Sequence, residues 1–171
     1  TAAAVTLDRM RYRHELQVRW DIKKSEAITA YLDAAVTMAR SAGRAAGCRG
    51  WDLHSAVPGT LEEAIAAVEA AEARRSPAFE AVVLLANHRT IHAGHELNKA
   101  LWLLEWLADG RRNSSEAIWS ADRNRFQAAL QEFHTAMRED LKVPGAGPSE
   151  VVTGPDGSRA SSTAVDRGPR G

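Results

Sequence analysis

The sequence predicts an all-α protein: an elongated antiparallel bundle of about four helices, followed by a disordered tail. Three observations lead there. Apolar residues recur at three- and four-residue steps over four long segments. Helix start and stop signals punctuate those segments. No stretch carries the apolar–polar alternation of a half-buried strand. With 171 residues, 44% hydrophobic and 26% charged, the chain is long enough to bury one core. The helical domain is expected over residues 1–142 and the tail over 143–171.

The first helix is expected from about Val5 to Arg44. Leu7, Met10, His14, Val18, Ile28, Leu32, Ala35 and Ala39 form one stripe. Leu16, Trp20, Ala27, Tyr31, Ala34 and Met38 form a second beside it. Together they make the C-terminal half apolar over a wide arc, which predicts burial. The N-terminal half is mostly polar and is expected to project from the bundle. Gly43, Gly47 and Gly50 are expected to break the helix.

A loop then runs from Cys48 to Pro58-Gly59. Thr60 and Glu63 have the spacing of a capping box, so a second helix starts at Leu61. Its face carries Leu61, Ala64, Ile65, Val68 and Ala71. Ser76-Pro77 reads as a restart, with Ser as N-cap and Pro at the first helical position. The third helix is then expected from Pro77 to about Ala108, with Asp109-Gly110 ending it. Trp102, Leu103 and Trp106 make its last turns apolar all round, which predicts burial on more than one side. Ser114 and Ser115 offer caps for a fourth helix ending near Leu141, on a stripe that includes Ile118, Phe126, Leu130, Phe133 and Met137. From Pro144 onward Gly, Pro, Ser and Thr dominate and aromatics vanish, a composition that cannot offset its own ordering entropy.

Composition excludes several function classes. Lys+Arg and Asp+Glu number 22 each, so global charge steers the chain toward neither nucleic acid nor membrane. One cysteine, Cys48, forms no intrachain disulfide and no Cys-based zinc site. Arg44 and Arg49 lie near it and His54 shares its loop, but nothing in the spacing supplies a nucleophile's base. No phosphate loop, nucleophile elbow or dinucleotide fingerprint occurs. No catalytic residues and no cofactor are therefore expected, and the reading is of a chain that is not an enzyme.

The best candidate for chemistry is the group His88, His92, His95 and Glu96. Steps of four and three place the histidines along one side of a helix, and imidazoles one turn apart can chelate a divalent transition metal. Glu96 lies one turn beyond His92, and His134 from a neighbouring helix could complete the set. The zincin pattern would need a second His after His95-Glu96, and no Glu here has a His three residues later, as the di-iron bundles require. The plainer reading makes these histidines partly buried polar residues that form hydrogen bonds at a bundle rim.

Two further features suit partners. From Leu7 to Lys24 six cations, Arg9, Arg11 and Arg13 among them, stand against three anions. That excess suits anionic headgroups, or else forms a solvated face with pairs such as Glu15–Arg19. Mixed charge and few aromatics argue against nucleic acid. The tryptophans Trp20, Trp51, Trp102, Trp106 and Trp119 read first as core. Trp102 and Trp106, with Tyr31 and Phe133, are expected as packing anchors, and the alternative is an exposed partner-binding patch at Trp102 and Trp106.

The run from Arg19 to Ala35, with Arg19-Trp20-Asp21, Lys23-Lys24 and Tyr31-Leu32 at its key positions, resembles a segment of uncharacterised actinobacterial membrane-anchored helical proteins. Lys23-Lys24 stand for that family's paired arginines, Tyr31-Leu32 for its Phe-Leu, and Ile28 replaces an aromatic. The resemblance covers about the first forty residues. It implies a short membrane segment, then a long basic helix, then a helical domain, and it implies no activity. On that reading Thr1-Ala2-Ala3-Ala4-Val5 is the tail of a membrane helix, with the basic residues on the cytoplasmic side. The function expected is a helical interaction or oligomerisation module at the inner face of a plasma membrane, binding a protein partner or itself. A metal-binding bundle is the alternative.

Overall fold

The structure, a computed structural model, describes residues 2–52 and 59–143, with side chains from Met10 onward. The expected tail from Pro144 and the loop residue His54 lie outside the described residues. Among the described residues four helices follow in order: α1 (Ala2–Cys48), α2 (Leu61–Leu85), α3 (His88–Ala108) and α4 (Glu116–Asp140). Among the described residues there is no strand. The all-α bundle of four helices is thus the fold.

Length sets the shape. At about 1.5 Å per residue, the 47 residues of α1 span roughly 70 Å, whereas the 25 residues of α2 or α4 span roughly 37 Å. α1 packs on α2 and α3, and α3 packs also on α2 and α4. Among the described residues, the buried positions of α1 begin at Ala27 and lie in its C-terminal half. Every side chain from Met10 to Lys23 is exposed, as the polar N-terminal half predicts.

The α1–α2 contact is built from small residues. Ala27, Ala34, Ala35, Ala42, Ala45 and Ala46 are buried on α1, and Ala64 and Ala71 on α2. Short side chains let two helix backbones approach closely. The glycines within α1 do not stop it: Gly43 is buried within the helix, which continues to Cys48. Gly50, at φ 76°, ends it instead, where Trp51 N–H bonds Ala46 O at 2.9 Å and Gly50 N–H bonds Gly47 O at 3.0 Å. That bond pair needs a left-handed residue, which glycine adopts without strain. Arg49 then donates from Nη2 to Ala108 O at 3.1 Å, placing a cation at the C-terminus of α3.

The capping box forms as the spacing predicts. Thr60 Oγ1 accepts from Glu63 N at 3.1 Å, and Thr60 N donates to Glu63 Oε2 at 2.9 Å. The restart at Ser76-Pro77 does not form. α2 runs through Pro77 to Leu85, and the break falls ten residues later. Proline inside a helix costs about 3 kcal/mol. The buried stripe Ala64, Val68, Ala71, Arg75, Phe79, Val82 crosses that point in unbroken helical register, and its burial offsets the cost. Asn87 caps α3 instead, accepting from Thr90 N at 2.9 Å. α3 ends at Asp109-Gly110 and α4 starts at the Ser115 cap, both where the sequence signals them.

The four helices meet at Tyr31, which has no exposed surface. Its ring lies 5.0 Å from that of Phe79 on α2 and edge-on, at 5.2 Å, to that of Phe133 on α4. Its hydroxyl donates to Asn98 Oδ1 on α3 at 2.8 Å. The same Oδ1 accepts from Arg75 Nη1. Arg75, buried on α2, holds Glu72 with two bonds of 2.6 Å. Burial pushes the Tyr31 phenol above its ordinary range, and Arg75 partly opposes that rise. Gly94 makes this junction possible: a Cβ there would overlap Phe79 Cε2 and lie 3.3 Å from Phe133 Cε2.

Two predictions follow from the junction. Gly94→Ala should lower stability by about 1–3 kcal/mol despite the better helix propensity of alanine, because two aromatic rings must shift. Tyr31→Phe should cost about 1–2 kcal/mol, leaving one of Asn98's hydrogen bonds unmade. Denaturant unfolding followed by circular dichroism measures both, and a Gly94→Ala protein as stable as wild type would refute the packing argument.

Candidate functional site

The N-terminal half of α1 carries exposed apolar side chains. Met10, Tyr12, Leu16, Val18, Trp20 and Ile22 are all exposed there, Tyr12 by 64% and Trp20 by 55%. Leu16 and Trp20 stand one turn apart and share a face with Ala27 and Tyr31. The stripe that is core further along the helix therefore continues past the end of the bundle without cover. Arg19 and Lys23 flank it, and with Leu16 and Trp20 they line a shallow hollow of about 230 Å³. Arg11 and Arg13 are exposed on the same segment; the Arg9 side chain lies outside the described residues. Gln17 Nε2 donates to Asp21 Oδ1 at 3.1 Å, which stiffens the helix from its own side chains. The Lys24–Asp140 ion pair, at 2.8 Å, marks where the segment leaves the bundle. Asp140 also accepts from Asn87 N at 2.8 Å, so α1, α4 and the α2–α3 turn are tied together there.

The histidine group and the tryptophan pair share one surface. His88, His92, His95, Lys99, Trp102 and Trp106 follow at steps of four and three along α3, and all six are exposed. This corrects the packing expectation for Trp102 and Trp106, each 39% exposed. Their positions are apolar in sequence, but the core side of α3 is already filled by Leu97, Leu101, Leu104 and Leu107. The Arg75 guanidinium lies 5.8 Å from the Trp102 ring centre, so this tryptophan shields the buried arginine's outer side.

The expected metal set does not converge. Among the described residues no group of three or more His, Cys, Asp or Glu side chains is placed to hold a metal ion. Glu96 is turned to Lys99, at 2.6 Å, and that hydrogen bond holds its carboxyl below the usual range. The His95 ring sits edge-on to Phe79 at 5.0 Å rather than facing His92. The partial burial of the plainer reading does not occur: His88, His92 and His95 are all exposed. His134 lies half-buried on α4, and burial lowers its pKa.

Sequence reading missed the buried polar residues Arg75, Asn98, Asp52 and Asp122. Arg75 was detectable, since it falls on the stripe of α2 once that helix is continued through Pro77. Asp52 accepts from Arg123 Nη1 at 2.9 Å and from Trp119 Nε1 at 3.4 Å, a long-range link that no local pattern signals. Among the described residues no helix is long and apolar enough to cross a membrane. Comparison with known proteins finds no matching family model, no matching curated protein and no matching solved structure.

His134 gives a pH prediction. Its folded pKa lies below its ordinary value of 6.5, so the unfolded chain takes up the proton first. Its contribution is flat above that value, and stability falls as pH drops through 6.5 toward the folded value. His134→Gln should therefore lose less melting temperature than wild type between pH 7.5 and 5.5. Equal losses in the two proteins would contradict the assignment.

Proposed function

We propose that this chain is a non-enzymatic helical interaction module that self-associates through the projecting half of α1, at the inner face of a membrane. The observation that carries the reading is the uncovered Leu16–Trp20 stripe, continuous with the core stripe of the same helix. Burying one large apolar side chain contributes about 1.5–3 kcal/mol. Two copies aligned along this stripe would bury at least four such side chains. The bundle supplies a rigid base and α1 a continuous helix, so little ordering is required on association. The membrane-proximal placement rests on the basic excess of the segment and on the resemblance of its first forty residues.

Charge gives the association a signature. Arg13, Arg19 and Lys23 of two copies repel each other, so self-association strengthens as salt screens them. Attraction to an anionic surface would weaken with salt instead. Sedimentation equilibrium should show a monomer–oligomer equilibrium at micromolar concentration that tightens between low and moderate salt. Leu16→Glu/Trp20→Glu should abolish it while leaving folding stability within about 0.5 kcal/mol, because both side chains lie outside the core. A wild-type chain that stays monomeric at all salt concentrations would refute the reading.

A further inference from the structure

Two side-chain links join α1 to α4. Lys24 pairs with Asp140 at 2.8 Å, and the rings of Tyr31 and Phe133 meet at 5.2 Å. Further along, residues of both helices and Leu104 of α3 line a cleft of about 290 Å³. Its cause is legible in the residues: Ala39 and Gly43, one turn apart on α1, put almost no side chain into the gap. Val36, Leu104, Trp119, Phe126 and Leu130 give the cleft an apolar floor. Leu104, Trp119 and Phe126 are themselves core residues, each under 5% exposed, so the floor is rigid.

The mouth is polar and carries a surplus charge. Arg40, Arg123, Gln127 and Asp52 line it. Asp52, its side chain 3% exposed, already holds Arg123 in an ion pair at 2.9 Å. Arg40 makes no hydrogen bond or ion pair among the described residues. Two guanidiniums against one carboxylate leave a single positive charge beside an apolar slot. We propose that this cleft binds a small monoanionic amphiphile, a carboxylate on an acyl or aryl body, with the carboxylate at Arg40 and the body against Trp119 and Phe126. A guanidinium matches a carboxylate with two parallel hydrogen bonds. A cationic ligand would meet the same surplus charge repulsively, and a neutral one would leave Arg40 unmatched. The cleft is too small for a folded partner and lies at the other end of the bundle from the Leu16–Trp20 stripe.

Calorimetric titration of the whole chain with octanoate, 1-octanol and octylammonium tests the assignment. Octanoate should bind once per chain, about tenfold tighter than octanol, the difference expected for a charge-assisted hydrogen bond. Octylammonium should not bind. Arg40→Ala should bring octanoate down to the affinity of octanol; Arg40 is exposed, so the fold survives the change. Ala39→Phe should fill the slot and remove both ligands. The Leu16→Glu/Trp20→Glu protein should bind octanoate as wild type does, which separates this site from the association surface. Equal affinity for octanoate and octanol, octanoate binding that ignores Arg40→Ala, or no saturable binding of octanoate would each overturn the proposal.

Discussion

The buried contact of Tyr31 with Asn98 and Arg75 is the constraint on which the rest of the bundle depends. Arg75 can be buried only if its charge is paired and its donors are used, because an unpaired guanidinium in the core costs several kcal/mol. Glu72 supplies the charge and Asn98 an acceptor, and Tyr31 donates to that same acceptor. The Tyr31–Asn98 and Arg75–Asn98 bonds tie α1, α2 and α3 together at one level of the bundle. The aromatic rings of Phe79 and Phe133 close around the same point, so α4 is placed by packing on a junction that hydrogen bonds have already set.

With register set there, both ends of the bundle follow. At one end Asp140 joins Lys24 and the backbone of Asn87. At the other, Asp52 joins Trp119 and Arg123, and Arg49 reaches the last turn of α3. The two acids are nearly enclosed, with side chains 5% and 3% exposed, so these pairs are less screened than surface ion pairs. Between the two ends, small residues on α1 bring α2 close but leave a gap toward α4. One choice of side-chain size therefore produces both the tight α1–α2 contact and the cleft.

The projecting segment is a consequence of unequal lengths. α1 continues for more than twenty residues beyond the point where α2, α3 and α4 can cover it. Its helicity there comes from its link to the folded half and from its own side-chain pairs, since an isolated segment of this length is marginal in water. The apolar residues of that segment are exposed among the described residues, and this is the physical basis for proposing it as an interaction element. The exposed His–Trp face of α3 is different in kind. Trp102 is already engaged in covering Arg75, and the histidines are spaced along the helix rather than gathered around a point.

Much of the fold was legible in sequence because the signals are local. The Thr60–Glu63 box, the Ser115 cap and the Asp109-Gly110 stop involve residues within one turn of each other, and each forms where spacing places it. The wide apolar arc of α1 from Ala27 onward and its polar beginning also determined which half is buried. What tertiary structure alone decided concerns pairs distant in sequence. Burial of Phe79 and Val82 carried α2 through Pro77 against its local preference. Periodicity placed His88, His92, His95 on one side of α3 but could not say whether that side faced the core, because Leu97, Leu101 and Leu104 offered a competing face that fills it. Asp52 with Trp119, and Arg75 with Asn98, are partnerships of residues that are unremarkable within their own segments. Their desolvation is tolerable only beside one another, and that adjacency exists only once the helices have packed.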